Sequence, residues 1–175
     1  MRSQGSILVL LGFTWLGTSV AATPESQLKA AYVYNFAKFV EWPNAESLSG
    51  IAICVYGKDS LGGFLDEAVR GKLVHGLPIL IRRLPAGDES WDGCQVLFFG
   101  LNKTAPLESI LGGLQGRSIL TIGESDGFAE VGGMIGLAID RGRVRFDINL
   151  GALAGAHLKA SSQLIEIGRV VGSRK

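Results

Sequence analysis

The segment MIGLAI (134–139), with DRGR (140–143) and VRFDI (144–148) directly after it, decides the fold. Its first part is an unbroken apolar run, which predicts a strand covered on both faces and therefore central in a sheet. The second part predicts a tight turn, because its glycine accepts positive φ. In the third part apolar and charged residues alternate, so one face packs and the other stays polar. Asn149 then stands where a helix N-cap is expected, ahead of a helix from Leu150.

The polar face of this predicted hairpin is our first candidate contact surface. Arg143, Arg145 and Asp147 occupy alternate positions of the return strand and so point away from the packed face. The exposed side of the first predicted helix is a second surface of this kind. The plainer interpretation of Arg145 is an ion pair with a surface carboxylate.

Outward from the hairpin, helical and strand patterns alternate along the chain. Helices are predicted at Ser26–Trp42, Leu61–Val69, Pro106–Leu114, Leu150–Ala156 and, by a return to helical spacing, Ser161–Val171. Strands are predicted at Ile51–Tyr56, Leu77–Leu84, Cys94–Phe99 and Arg117–Ile122. This order favours a three-layer α/β sandwich, Rossmann-like, with a mainly parallel sheet and an antiparallel C-terminal hairpin. It does not fix the order of the strands in the sheet.

The first 22 residues have the organisation of a secretory signal peptide. Arg2 precedes an apolar run from Ile7 to Gly17, and the small residues VAA (20–22) follow it. A retained membrane anchor, the competing interpretation, needs about 20 apolar residues, which is longer than this run. We therefore expect cleavage after Ala22 and an exported single domain over residues 23–175.

The charge balance excludes one class of partner. Removal of Arg2 leaves 16 Lys+Arg against 16 Asp+Glu, so the mature protein is close to neutral. No basic patch appears in the sequence, and we expect no nucleic-acid partner.

Export changes the expectation for the two cysteines. In an oxidising compartment Cys54 and Cys94 are expected to form a disulfide, whereas in the cytosol they would be free, buried thiols. A redox-active role is less favoured because there is no C-x-x-C spacing. His75 and His157 are far apart and lack zinc-site spacing, so we expect no metal and no cofactor.

Four polar residues in predicted loops are candidate ligand contacts, because open α/β sheets bind ligands beyond the carboxyl ends of their strands. Asp59 and Ser60 follow one predicted strand, and Glu124 and Asp126 follow another. The plainer interpretations are helix caps for the first pair and loop acids for the second. Catalysis is not expected, because the sequence has no G-x-S-x-G motif and neither histidine has a visible nucleophile partner.

Three segments together resemble the YfiR family. They are AAYVYNFAKFVEWP (30–43), GFAEVGGMIGL (127–137), and VRFDIN (144–149) with the later SSQL (161–164). Cys54 and Cys94 fit cysteine positions of that family, whereas a second pair found in some members near the glycines at 132–133 is absent.

The resemblance implies a periplasmic, non-enzymatic regulator. Such a protein would bind and repress the periplasmic sensor domain of an inner-membrane diguanylate cyclase, lowering cyclic di-GMP and biofilm formation. The alternative is a periplasmic small-molecule-binding protein that acts independently of a cyclase. A homodimer is expected from the general prevalence of two-fold assemblies.

Overall fold

The computed structural model describes residues 24–43, 45–100 and 106–172, so the predicted signal at residues 1–22 lies outside the described part. The helices are α1 (Glu25–Phe39), α2 (Gly63–Val69), α3 (Leu107–Gly113), α4 (Leu150–Gly155) and α5 (Ser162–Ile167). The strands are β1 (Val40–Glu41), β2 (Ile51–Tyr56), β3 (Leu73–Val74), β4 (Leu77–Leu84), β5 (Val96–Phe99), β6 (Leu120–Gly123), β7 (Ile135–Asp140), β8 (Arg143–Asn149), β9 (Lys159–Ala160) and β10 (Arg169–Val171). None of the described helices is both long and apolar enough to cross a bilayer.

Eight strands form one sheet in the order β10-β8-β7-β6-β5-β2-β4-β3. Strands β4, β2, β5, β6 and β7 run parallel, and β8 returns antiparallel to β7. Strand β10 lies parallel to β8 at the outer edge. This arrangement confirms the predicted α/β fold with its mainly parallel sheet and antiparallel hairpin. The direction of winding reverses between β2 and β5, which lie side by side.

The helices divide between the two faces of the sheet. On one face α1, α2, α4 and α5 cover a large core, in which the ring centroids of Phe36 and Phe146 are 4.9 Å apart. On the other face α3 and the loop before β5 cover a smaller core around Cys54, Trp91 and Phe128. The alternation predicted for the return strand is confirmed, because its apolar side chains join the larger core.

The run at 134–139 is not covered on both faces as predicted. Ile135 and Leu137 are buried in the larger core, whereas Ala138, which points the other way, is exposed. On that side the loop after β6 covers β7 only up to Gly136, against which Ala129 packs. Both later helices pack on the opposite face, so the second face of the hairpin stays open among the described residues.

The helix predicted over Ser161–Val171 is also wrong in its second half, because α5 ends at Ile167 and Arg169–Val171 form β10. Gly168 is extended, with φ −94° and ψ 156°. A Cβ there would stand 2.6 Å from atoms of Phe146 and Ile148, so the chain passes close to β8 and pairs with it. Pairing with a distant strand thus overrides the local helical spacing.

Strand β9 affects the first helix and the last two helices. The first helix ends at Phe39 rather than Trp42, because Val40 and Glu41 pair with β9. The last two helices are separate, as the sequence favoured, with β9 lying between them.

The structure contains the predicted disulfide between Cys54 and Cys94. Both residues are buried, at 0% and 4% exposure. The bond joins β2 to the segment just before β5, so it ties two neighbouring strands across the smaller core.

Reduction of the Cys54–Cys94 bond is expected to lower the free energy of unfolding by about 2–4 kcal/mol. The physical reason is that the bond closes a loop of 40 residues in the unfolded chain. Thermal unfolding with and without reductant measures the effect, and a Cys54→Ala/Cys94→Ala variant should show no response to reductant. Equal melting temperatures for the unaltered protein in both conditions would contradict a structural role.

Candidate functional site

The open face of the hairpin brings together the three residues predicted as a contact surface. In the β7–β8 register Asp147 lies opposite Gly136, and Arg145 lies opposite Ala138. Because these two partners on β7 are small, the charged side chains of β8 stand beside a shallow floor. We call this region, with Arg143, Arg145, Asp147 and Arg169, the hairpin face.

Ion pairs order part of the hairpin face. Arg169 donates from Nε and Nη2 to the two carboxylate oxygens of Asp147, each at 2.6 Å. These hydrogen bonds and the charge of Asp147 raise the pKa of Arg169 above its ordinary value. Arg145 Nε lies 3.3 Å from Asp140 Oδ2, which agrees with the plainer interpretation of Arg145. Its side chain is nevertheless 70% exposed, so another molecule can reach it.

The hairpin face continues onto an open strand edge. Strand β10 pairs only with the last three residues of β8, and no strand within the described ranges pairs with the outer edge of residues 143–146. A groove of about 650 Å³ follows this edge, and Ile167, 69% exposed, lines it beside the arginines. An open edge offers backbone hydrogen bonds, and the arginines and Ile167 offer polar and apolar contacts. The arrangement suits contact with another protein.

Asp59, in the loop after β2, is occupied by contacts within the chain. Its Oδ1 accepts hydrogen bonds from the N–H groups of Leu61 and Gly62, at 2.9 and 2.8 Å. Its Oδ2 accepts one from Arg83 Nε at 2.7 Å. Burial acts to raise the pKa of Asp59, but these donors outweigh it and hold the pKa below its ordinary value. Asp59 therefore holds the turn that precedes α2. The helix cap predicted for Asp59 and Ser60 is wrong, because the N-cap residue of α2 is Gly62 and no side chain caps this helix.

The neighbouring crevice between β2 and β5 is filled by backbone. A Cβ on Gly100, just after β5, would stand 1.8 Å from the carbonyl oxygen of Lys58. Ser60 Oγ, two residues after Lys58, is buried and has no hydrogen-bond partner among the described residues. The loops after β2 and β5 thus touch one another at Lys58 and Gly100.

Glu124, after β6, belongs to a buried ion pair. Lys29 Nζ lies 2.6 Å from Glu124 Oε2 and 2.5 Å from Glu25 Oε1, and the Lys29 and Glu124 side chains are only 10% and 1% exposed. Burial lowers the pKa of Lys29, but the hydrogen bonds and charges of Glu124 and Glu25 outweigh it and raise the pKa above its ordinary value. Asp126 is exposed in the same loop.

Lys29 is the residue that sequence reasoning missed. It lies four residues before Val33 and seven before Phe36, on the helix face that packs against the sheet. A charge on such a face requires a partner, and this spacing was the available signal.

The structure brings some of the predicted site residues together and keeps others apart. Arg143, Arg145 and Asp147 share one face, whereas Asp59 and Glu124 follow strands separated by β5. The three segments of the family resemblance do converge: α1 contacts β8 through the Phe36 and Phe146 rings, and Asn149 Nδ2 donates to Ala129 O at 2.8 Å.

Comparison with known proteins gives a family and a fold. A family model described as YfiR/HmsC-like matches residues 26–169, and no curated protein matches the chain. Among solved structures, a conserved domain protein from Vibrio cholerae is similar at a TM-score of 0.57 and 10% identity, covering 82% of this chain and 60% of its own. An ABC domain in complex with L-Trp from Streptococcus pneumoniae is similar at a TM-score of 0.57 and 11% identity, covering 81% and 60%. The chain thus spans about 60% of the length of these structures, which share its fold.

Proposed function

Because the chain belongs to the YfiR/HmsC-like family, we propose that it binds the periplasmic sensor domain of an inner-membrane diguanylate cyclase and represses the enzyme. Repression lowers cyclic di-GMP and biofilm formation. The observation on which this proposal rests is the family match over residues 26–169. The protein works in the periplasm as the domain 23–175, after removal of residues 1–22, and acts by contact rather than by catalysis.

The hairpin face is the surface on which we place the cyclase. Its arginines are exposed at the rim, where charged groups favour specific encounter, and Ile167 supplies apolar area beside them. The open edge of residues 143–146 offers backbone groups for pairing with an extended segment of the partner. A homodimer stays an expectation for the free protein.

Deletion of the gene tests the regulatory role. If the protein represses a cyclase, deletion raises cellular cyclic di-GMP, and the unaltered gene supplied in trans restores the lower level. An unchanged level in the deletion strain would contradict the proposal and favour an independent binding protein.

An Arg145→Glu substitution is expected to weaken binding of the cyclase sensor domain about tenfold or more, because it places a like charge where the partner meets an arginine. The fold should be little affected, since the side chain is 70% exposed. Titration of the purified sensor domain measures the dissociation constant. Arg70→Glu, on an exposed residue just after α2, is the matched control and should bind like the unaltered protein. Equal affinities for both variants would remove the hairpin face from the interface.

The alternative function, small-molecule binding, has one structural observation in its favour. It is a cavity at the amino ends of the parallel strands, whereas the loops of Asp59 and Glu124 lie at their carboxyl ends.

A further inference from the structure

We propose that this cavity binds a small, uncharged molecule that presents a hydrogen-bond acceptor. The cavity lies between the carboxyl end of α3 and α4, beside the start of β7. Its volume is about 430 Å³, which falls within the usual range for ligand pockets of roughly 300–1,000 Å³. The proposal does not depend on the cyclase, because the cavity and the hairpin face share no lining residue.

The apolar part of the cavity wall comes from the α3 region and from the start of β7. Leu111 and Leu114 line it on the α3 side, and Met134 lines it at the start of β7. These residues are 7%, 4% and 6% exposed, so they belong to packed structure rather than to a loose surface. An apolar ligand body is therefore received by a preformed wall.

Two buried polar side chains specify the polar part of the ligand. Thr121, 2% exposed, accepts a hydrogen bond from Met134 N at 3.0 Å, and its own hydroxyl proton has no acceptor among the described residues. Asn149, 8% exposed, accepts from Ala152 N at its oxygen and donates one of its two amide protons to Ala129 O. Each group thus has one proton left to donate. The matching ligand atom is an acceptor, such as a carbonyl oxygen.

The absence of charge in the described lining indicates the charge state of the ligand. None of the described residues that line the cavity carries a charged side chain. An ionised ligand would lose hydration on entry without gaining a counter-charge, so ionised molecules are disfavoured. The class that fits is a neutral, compact molecule with an apolar body and one carbonyl-type acceptor.

Benzamide and benzoate form a matched pair of probes, because they share shape and acceptor and differ in charge. We expect benzamide to shift the backbone amide resonances of Thr121, Met134 and Ala152 in the protein purified after expression of the full chain. A nine-atom fragment should bind with a dissociation constant of about 1–10 mM. Benzoate should bind at least tenfold more weakly. Equal binding of both probes, shifts confined to other regions, or no saturable shift with benzamide would overturn the proposal.

A variant that enlarges a lining residue gives a second test. A Cβ on Gly155 of α4 would meet nothing within 4 Å, and its φ is not in the left-handed region, so Gly155→Leu adds a side chain there without a backbone clash. We expect it to weaken benzamide binding at least tenfold. Gly112→Leu, on an exposed residue of α3 outside the lining, is the control and should leave binding unchanged. If Gly155→Leu does not fold, the contrast between benzamide and benzoate still decides the proposal.

Discussion

A Phe128→Ala substitution is expected to lower the free energy of unfolding by about 3–5 kcal/mol. The Phe128 ring is 1% exposed and fills the space under β6 and the start of β7. Two glycines make that space: a Cβ on Gly123 would stand 2.2 Å from the ring, and one on Gly133 would stand 2.1 Å from it. Because the backbone at Gly123 and Gly133 lies against the ring, we expect the site to collapse little around an alanine. Urea unfolding of the variant and the unaltered protein measures the loss.

Coupling between Phe128 and Gly123 distinguishes this cause from a general loss of packing. The three nearest atoms to a Cβ on Gly123 all belong to the Phe128 ring. Gly123→Ala should therefore cost about 1–3 kcal/mol in the unaltered protein and much less in a Phe128→Ala background. Gly112→Ala, in open space on α3, should change stability by under about 1 kcal/mol. Equal costs of Gly123→Ala in both backgrounds would show that the ring is not what excludes a side chain.

This packing explains the segment GFAEVGGMIGL (127–137), which contributes to the family resemblance. Gly127 turns the chain at φ +71°, Phe128 inserts, and Gly133 lets the ring lie against the backbone. Ala129 then accepts the hydrogen bond of Asn149, which connects the loop to the start of α4. The segment is thus a structural element that supports the hairpin.

What the sequence predicted well was local. The alternation in VRFDI placed Arg145 and Asp147 on a polar face, and Asn149 does cap α4 by accepting from Ala152 N. The cysteines could be paired because export and family resemblance both pointed to one bond. Each of these inferences needs only neighbouring residues or a known compartment.

What the sequence did not predict depends on distant residues. Strand β10 exists because Gly168 lets residues 169–171 approach β8, and no local period reveals that pairing. The open edge of residues 143–146 follows from where β10 begins. A general rule for α/β sheets placed the candidate ligand residues at the carboxyl ends of the strands, and they stay a prediction. The cavity, which the rule does not predict, lies at the amino ends of the parallel strands.

The second large effect is expected from Lys29→Met, which should lower the free energy of unfolding by about 3 kcal/mol or more at neutral pH. The substitution keeps most of the buried volume but removes the ammonium that lies 2.6 Å from Glu124 Oε2. A carboxylate that is 1% exposed then keeps its cost of burial without that counter-charge. Lys38→Met, on an exposed residue of the same helix, is the control and should change stability by about 0.5 kcal/mol or less. Urea unfolding again provides the measurement.

A second substitution and a pH series separate the ion pair from simple packing. Glu124→Gln in the Lys29→Met background should recover part of the loss, because it removes the buried charge. The pKa of Lys29 is raised in the folded protein, so the folded state binds the ammonium proton more strongly than the unfolded state does. Its contribution is therefore fully present below the unfolded pKa of about 10.4 and is lost as pH rises through the higher folded value. The stability difference between the unaltered protein and Lys29→Met should accordingly stay constant from pH 7 to about 10 and shrink above that. A difference that is independent of pH across this range, with no recovery by Glu124→Gln, would mean that the lysine contributes through its methylene groups and not through its charge.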